Sequence, residues 1–107
     1  MAIKLRFTFN NIETINELWY FLDGMCPNTP KQKAMLSAIQ EVATRFKRKE
    51  IGLMYHYDAT SEYSMKLKDH EAYFLEMFIR DYMVLLPKGY TRTIVNKYAD
   101  IINQKLA

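Results

Sequence analysis

The chain is poor in the residues that carry most recognisable chemistry. Among its 107 residues there are one Cys, two His, one Trp, three Gly and three Pro. The single cysteine, Cys26, excludes an internal disulfide and a cysteine-built metal cluster, and suits a reducing compartment. The histidines, His56 and His70, come with no HExxH pattern and no Asp/Glu/His grouping at ligand spacing, so no metal or cofactor is expected. The three glycines are isolated at expected element ends, which excludes a glycine-rich phosphate loop. Ser37, Ser61 and Ser64 lack the glycine context of a nucleophile elbow. No run reaches the 18 or more apolar residues of a membrane span, and MAIKLRFTF carries Lys4 and Arg6 where a secretory leader is apolar. A cytoplasmic, non-enzymatic protein is expected.

What is abundant is hydrophobic and aromatic. Half the residues are apolar, and Tyr, Phe and Met number eight, six and seven. At this length that composition builds one α+β domain, residues 1–107, with a real core.

Ile3, Leu5, Phe7 and Phe9 alternate with polar residues and predict a strand with one wet face. Asn10 and Glu13 read as a capping box opening a helix to about Asp23, with Ile15, Leu18, Trp19 and Leu22 as its stripe and Gly24 as its stop. Thr29 and Pro30 open a second helix to about Lys49, with Met35, Ile39, Val42 and Phe46 inward. LMYHY and YSMKLK both alternate around DATSE and predict a hairpin with Leu53, Tyr55, Tyr57, Tyr63, Met65 and Leu67 on its core face. The competing reading carries the second helix through Gly52 to Tyr57. Asp69 caps a third helix that Pro87 and Gly89 end, and Thr91 opens a fourth to about Lys105. The expected order is β-α-α-β-β-α-α, a small antiparallel sheet of two to three strands against four helices. LRFTFNNIETINELWYFL and SMKLKDHEAYFLEMFI echo each other as strand, polar cap and amphipathic helix. Either duplication or shared α+β grammar accounts for the echo.

Two features point to function. The third helix, HEAYFLEMFIRDYMVLL, offers water only Glu71, Glu76, Arg80 and Asp81. One stripe runs through Leu75, Phe78, Tyr82 and Leu85, while Phe74, Met77 and Met83 lie away from it. If one small domain cannot cover such a helix, then Phe74, Met77, Phe78 and Met83 form a protein interface, to a second copy or another partner. By composition alone, such a module is comparable to accessory proteins of phages and mobile elements: host-defence inhibitors, virion subunits or regulators. The second feature is charge. The second helix carries six cations against Glu41 and Glu50, ending in RFKRK. Arg45, Lys47, Arg48 and Lys49 are therefore candidates for contact with nucleic acid or an acidic partner, and Lys4 and Arg6 on the first strand's wet face extend the patch. The alternatives to a protein-interaction module are thus a nucleic-acid-binding module and a ligand-binding or enzymatic site assembled only by the fold.

Overall fold

Alternation along residues 2–7 forms a strand because one face is greasy and the other charged. In a computed structural model that describes residues 2–56 and 58–107, β1 (Ala2–Phe7) buries Ile3, Leu5 and Phe7 and exposes Ala2, Lys4 and Arg6. It pairs antiparallel with β2 (Tyr63–Lys68) in a two-stranded sheet, with Leu5 opposite Met65 and Lys4 opposite Lys66. Four helices cover its inner face: α1 (Phe9–Asn16), α2 (Pro30–Leu53), α3 (Asp69–Tyr82) and α4 (Tyr90–Leu106). The expected α+β class is the one observed.

The local differences have physical reasons. Thr8, not Asn10, caps α1, its Oγ1 accepting the Asn11 N–H at 3.2 Å. Phe9 therefore enters the core as a helical residue, not as the end of the strand. The helix predicted to Asp23 tightens into a 3₁₀ segment at Glu17–Gly24, in which Leu18 and Trp19 are buried. The α3 cap is Lys68 rather than Asp69, and its N–H is taken by Glu71 Oε1 at 2.8 Å. Gly89, at φ +141°, precedes α4, so that helix starts at Tyr90. A side chain would resist this backbone conformation.

Over its described residues, 53–56, the predicted strand of 53–57 does not form. Helix α2 runs through Gly52 to Leu53, and Met54–His56 make a turn. Tyr57 lies outside the described residues. Leu53 is seven residues beyond Phe46, two helical turns along the same stripe, and it packs against the core there. Tyr55, expected inward, is exposed. Helical continuation keeps Leu53 on that stripe, whereas a strand would bring in the aromatic residue that water receives here.

The echo in the sequence is an internal two-fold in the fold. Strand, helix, 3₁₀ segment and helix occur twice. Residue n of the first unit corresponds to n + 60 of the second, since α1 begins at Phe9 and α3 at Asp69. Ile12, Ile15, Leu18 and Trp19 then match Ala72, Leu75, Phe78 and Ile79, and all eight are buried. The strand register obeys the same operation: Leu5 and Met65 are equivalent to each other and also directly paired, so the axis passes through that pair. Helix α1 packs on α2 and α4, and α3 packs on α4 and α2. The shared core is aromatic at its centre, with Phe7 edge-on to Phe46 at 5.0 Å and stacked on Tyr98 at 4.5 Å.

Candidate functional site: a basic ribbon between two grooves

A two-stranded sheet has two free edges, and each is closed by a side chain from the other unit's second helix. On the β2 edge, Arg45 Nη1 of α2 donates to the Lys66 carbonyl at 2.9 Å, and Arg45 Nη2 lies 2.7 Å from Glu71 Oε2. On the β1 edge, the Tyr98 hydroxyl of α4 donates to the Arg6 carbonyl at 2.7 Å and accepts from Asn11 Nδ2 at 2.9 Å. Arg6 corresponds to Lys66 and Asn11 to Glu71, so the accepting carbonyl and its polar neighbour are equivalent in the two units, whereas the donors are not, since Arg45 corresponds to Lys105 and Tyr98 to Ala38. Each contact takes one outward carbonyl of its edge, leaving that edge one fewer unpaired backbone group with which to recruit another strand.

The chemistry of the two devices differs. Burial works to raise the Glu71 carboxyl, but the Lys68 N–H and the Arg45 guanidinium outweigh it and hold the group below its ordinary 4.5. A carboxylate with a depressed folded value stabilises the fold above the ordinary carboxylate range, and that contribution is lost as pH falls through the folded value. Glu71→Gln is expected to lower the urea midpoint at pH 7, with the gap from the native chain closing as both are taken to pH 3. An equal gap at both pH values would show that the charge is irrelevant. Burial is the largest influence on Tyr98 and raises its phenol, despite the opposing hydrogen bond from Asn11. The hydroxyl therefore stays protonated and able to donate.

With carbonyls of Arg6 and Lys66 taken by side chains outside the sheet, the pairs Lys4–Lys66 and Arg6–Ser64 have the pattern of non-hydrogen-bonded pairs, whose side chains stand closest. The outer face thus presents Ala2, Lys4, Arg6, Ser64, Lys66 and Lys68. It carries four cations, no carboxylate and no aromatic ring. Like charges directly opposite each other on a sheet are unfavourable, so this arrangement works against stability.

A groove runs along each edge of the ribbon. The first, about 590 Å³, lies between β2 and α2 and takes in Arg45, Arg48, Lys66 and Lys68 together with Glu41 and Glu71. The second, about 460 Å³, lies between β1 and α4 and takes in Lys4, Arg6, Lys97 and Lys105 together with Glu62. The internal two-fold relates them: Lys66 matches Arg6, Glu71 matches Asn11, and Ala2 in the first matches Glu62 in the second. Eight of the 15 Lys and Arg residues of the chain border these grooves, with three of its 12 carboxylates. The remaining chain is slightly negative, so the overall +3 understates how strongly charge is concentrated here.

Of the predicted basic residues, Arg45 and Arg48 reach the first groove, but Arg45 is committed to Glu71 and the Lys66 carbonyl. Lys47 is exposed outside both grooves, and Lys49 lies over the Tyr63 ring at 6.0 Å. Nothing in the sequence alone singles out Lys66, Lys68, Lys97 and Lys105 as part of a site. The alternation of YSMKLK marks the first two as wet, but only strand pairing sets them beside Lys4 and Arg6.

The predicted interface residues lie elsewhere. Phe78 is completely buried within its own chain, Phe74 and Met83 are half-buried against the core, and Met77 is half-buried. Glu71, expected in water, is buried as well. Phe78 therefore has no surface to offer a partner. Apolar surface is left instead at Tyr20, Val84, Leu85 and Tyr90, all at least 60% exposed.

His56 and His70 are exposed, and among the described residues no group of three or more His, Cys, Asp or Glu comes together to hold a metal ion. Among the same residues, no helix is long and apolar enough to cross a membrane. Comparison with protein-family models, curated proteins and solved structures gives no match.

Proposed function

We propose that this protein binds nucleic acid through the outer face of its β-ribbon and the two flanking grooves, by contact with the phosphate backbone. The observation that carries this reading is the ribbon itself: Lys4 set directly opposite Lys66, with Arg6 and Lys68 on the same face and no carboxylate among them. A face that only needed solvation would gain stability from mixed signs. A row of cations at this cost is accounted for by an anionic partner. Phosphates spaced along a polymer suit cations spaced along two strands and two helices. Hydrogen bonding to bases is not required for this mode, so the expected binding is weakly dependent on sequence and strongly dependent on salt.

Fluorescence anisotropy with a labelled 20-base-pair duplex tests the reading. Affinity is expected to fall steeply between about 50 and 200 mM salt, as release of condensed counterions requires. Absence of binding at 50 mM, or binding indifferent to salt, would overturn it.

Tyr20, Val84, Leu85 and Tyr90 favour a second reading, a protein-docking surface. Arg92 Nη2 holds the Val84 and Leu86 carbonyls at 2.9 and 2.6 Å, so the backbone that carries Val84 and Leu85 is fixed in place. On this reading the protein has a larger mass in solution than the single chain, and Leu85→Glu returns it to the single-chain mass without loss of fold. Light scattering that reports a single chain before the substitution removes self-association, leaving only a different partner.

A further inference from the structure

From the internal two-fold we infer the form of nucleic acid bound: a B-form DNA duplex, seated with one of its own dyads on the axis of the protein, one backbone strand at each groove. The inference rests on the nucleic-acid reading above and goes further by choosing among single strands, duplex RNA and duplex DNA.

The geometry points this way for three reasons. The axis passes through the Leu5–Met65 pair, so it leaves the molecule at the centre of the basic face. Around it, Arg6 and Lys66 are equivalent cations. Beyond them lie the two grooves, one lined by Arg48 and Lys68 and the other by Lys97 and Lys105. The two backbones of a duplex are related by two-fold axes perpendicular to its length, whatever the base sequence. One subunit with an internal two-fold can thus meet both strands in the same way, as symmetric dimers do with paired half-sites. A single strand has no such dyad and would leave one groove in a different relation to it.

The surface chemistry agrees. Single-strand binders stack bases on exposed aromatic rings, and the outer face of this ribbon has none among its six residues. Duplex RNA of A form closes its major groove to side chains. The B-form major groove is about 12 Å wide and admits a two-stranded ribbon, which would place the edge grooves of this protein over the two flanking backbones.

Competition anisotropy on the full chain tests this, using 20-base-pair DNA, the same duplex as RNA, and each DNA strand alone. The DNA duplex is expected to bind at least tenfold more tightly than either competitor at 100 mM salt. Arg48→Gln/Lys68→Gln and Lys97→Gln/Lys105→Gln each remove two of the four cations that border one groove. Each is expected to weaken duplex binding by the same factor, within about threefold, and to reduce the steepness of the salt dependence by nearly two contacts' worth. Arg48→Lys/Lys68→Arg keeps the charge and is expected to bind as the native chain does, which separates lost charge from lost fold.

If single strands or duplex RNA compete equally, or one groove carries all the loss, the dyad inference is overturned while nucleic-acid binding stands. If none of the probes binds, both fall. Tighter duplex binding with matched losses supports the inference.

Discussion

Phe78→Ala is expected to destabilise the isolated chain by about 3–5 kcal/mol, the range for removing a large aromatic side chain from a packed core. The ring is fully buried, 6.0 Å from Trp19 and 4.8 Å from Tyr82, and occupies the same place in its unit as Leu18 does in the other. A small domain has roughly 5–15 kcal/mol of total stability, so this one substitution removes a large part of it. Urea unfolding followed by tryptophan fluorescence and far-ultraviolet dichroism measures the change. Tyr73→Ala on the same helix, at a side chain that is 48% exposed, is the control and is expected to stay within about 0.5 kcal/mol. The comparison separates two roles for α3. A ring presented to a partner would leave the monomer's stability intact and alter its mass. A ring at the centre of the core does the reverse.

That contrast shows where reading the sequence reached its limit. The apolar circumference of α3 is plain from residue spacing. What covers it is not, because coverage depends on α1, α2 and α4 meeting around the helix, and no residue within 70–86 encodes this. Glu71 illustrates the difficulty. A carboxylate in the first turn of a helix reads as solvated and aligned with the dipole, yet here it is buried because Arg45, 26 positions away in sequence, arrives to neutralise it. The echo between the units contained the missing information in faint form. Its third helical position, Asn11 in one unit and Glu71 in the other, is polar and buried in both, and a polar residue inside a repeat signals a partner the repeat must supply.

The strands and helix boundaries were legible where the signal is local. Alternation located β1 and β2, and Thr29 with Pro30 located the start of α2. The hairpin failed because LMYHY satisfies a strand period and a helix period at once, and the packing of Leu53 decided between them. Half of the basic surface was legible in the same sense. Lys4 and Arg6 alternate outward, and Arg45 and Arg48 sit on a cationic helix. The other half needed the register. Lys66 and Lys68 are unremarkable wet positions until β2 lies antiparallel to β1 with Lys66 facing Lys4, and Lys97 and Lys105 are ordinary cations on the polar side of α4 until that helix closes the β1 edge.

The ribbon therefore gives the second large expectation, in which stability and binding move in opposite directions. Lys4→Gln/Arg6→Gln/Lys66→Gln/Lys68→Gln removes every cation from the outer face while leaving the buried side of the sheet untouched. With the facing like charges gone, the urea midpoint is expected to stay level or rise, the gain for one relieved pair being about 0.2–1 kcal/mol. Duplex affinity at about 50 mM salt is expected to fall by roughly a hundredfold or more, and the slope of log affinity against log salt to shrink by about 3–4, near 0.9 per lost phosphate contact. Anisotropy titrations at several salt concentrations, paired with urea melts of the same samples, give both numbers. A protein whose surface cations only keep it in solution would show the stability change without the binding change. A protein whose ribbon cations hold the fold together would lose both. Only a surface arranged for a polyanion at some expense to folding yields a variant that folds as well as its parent, or better, and no longer holds DNA.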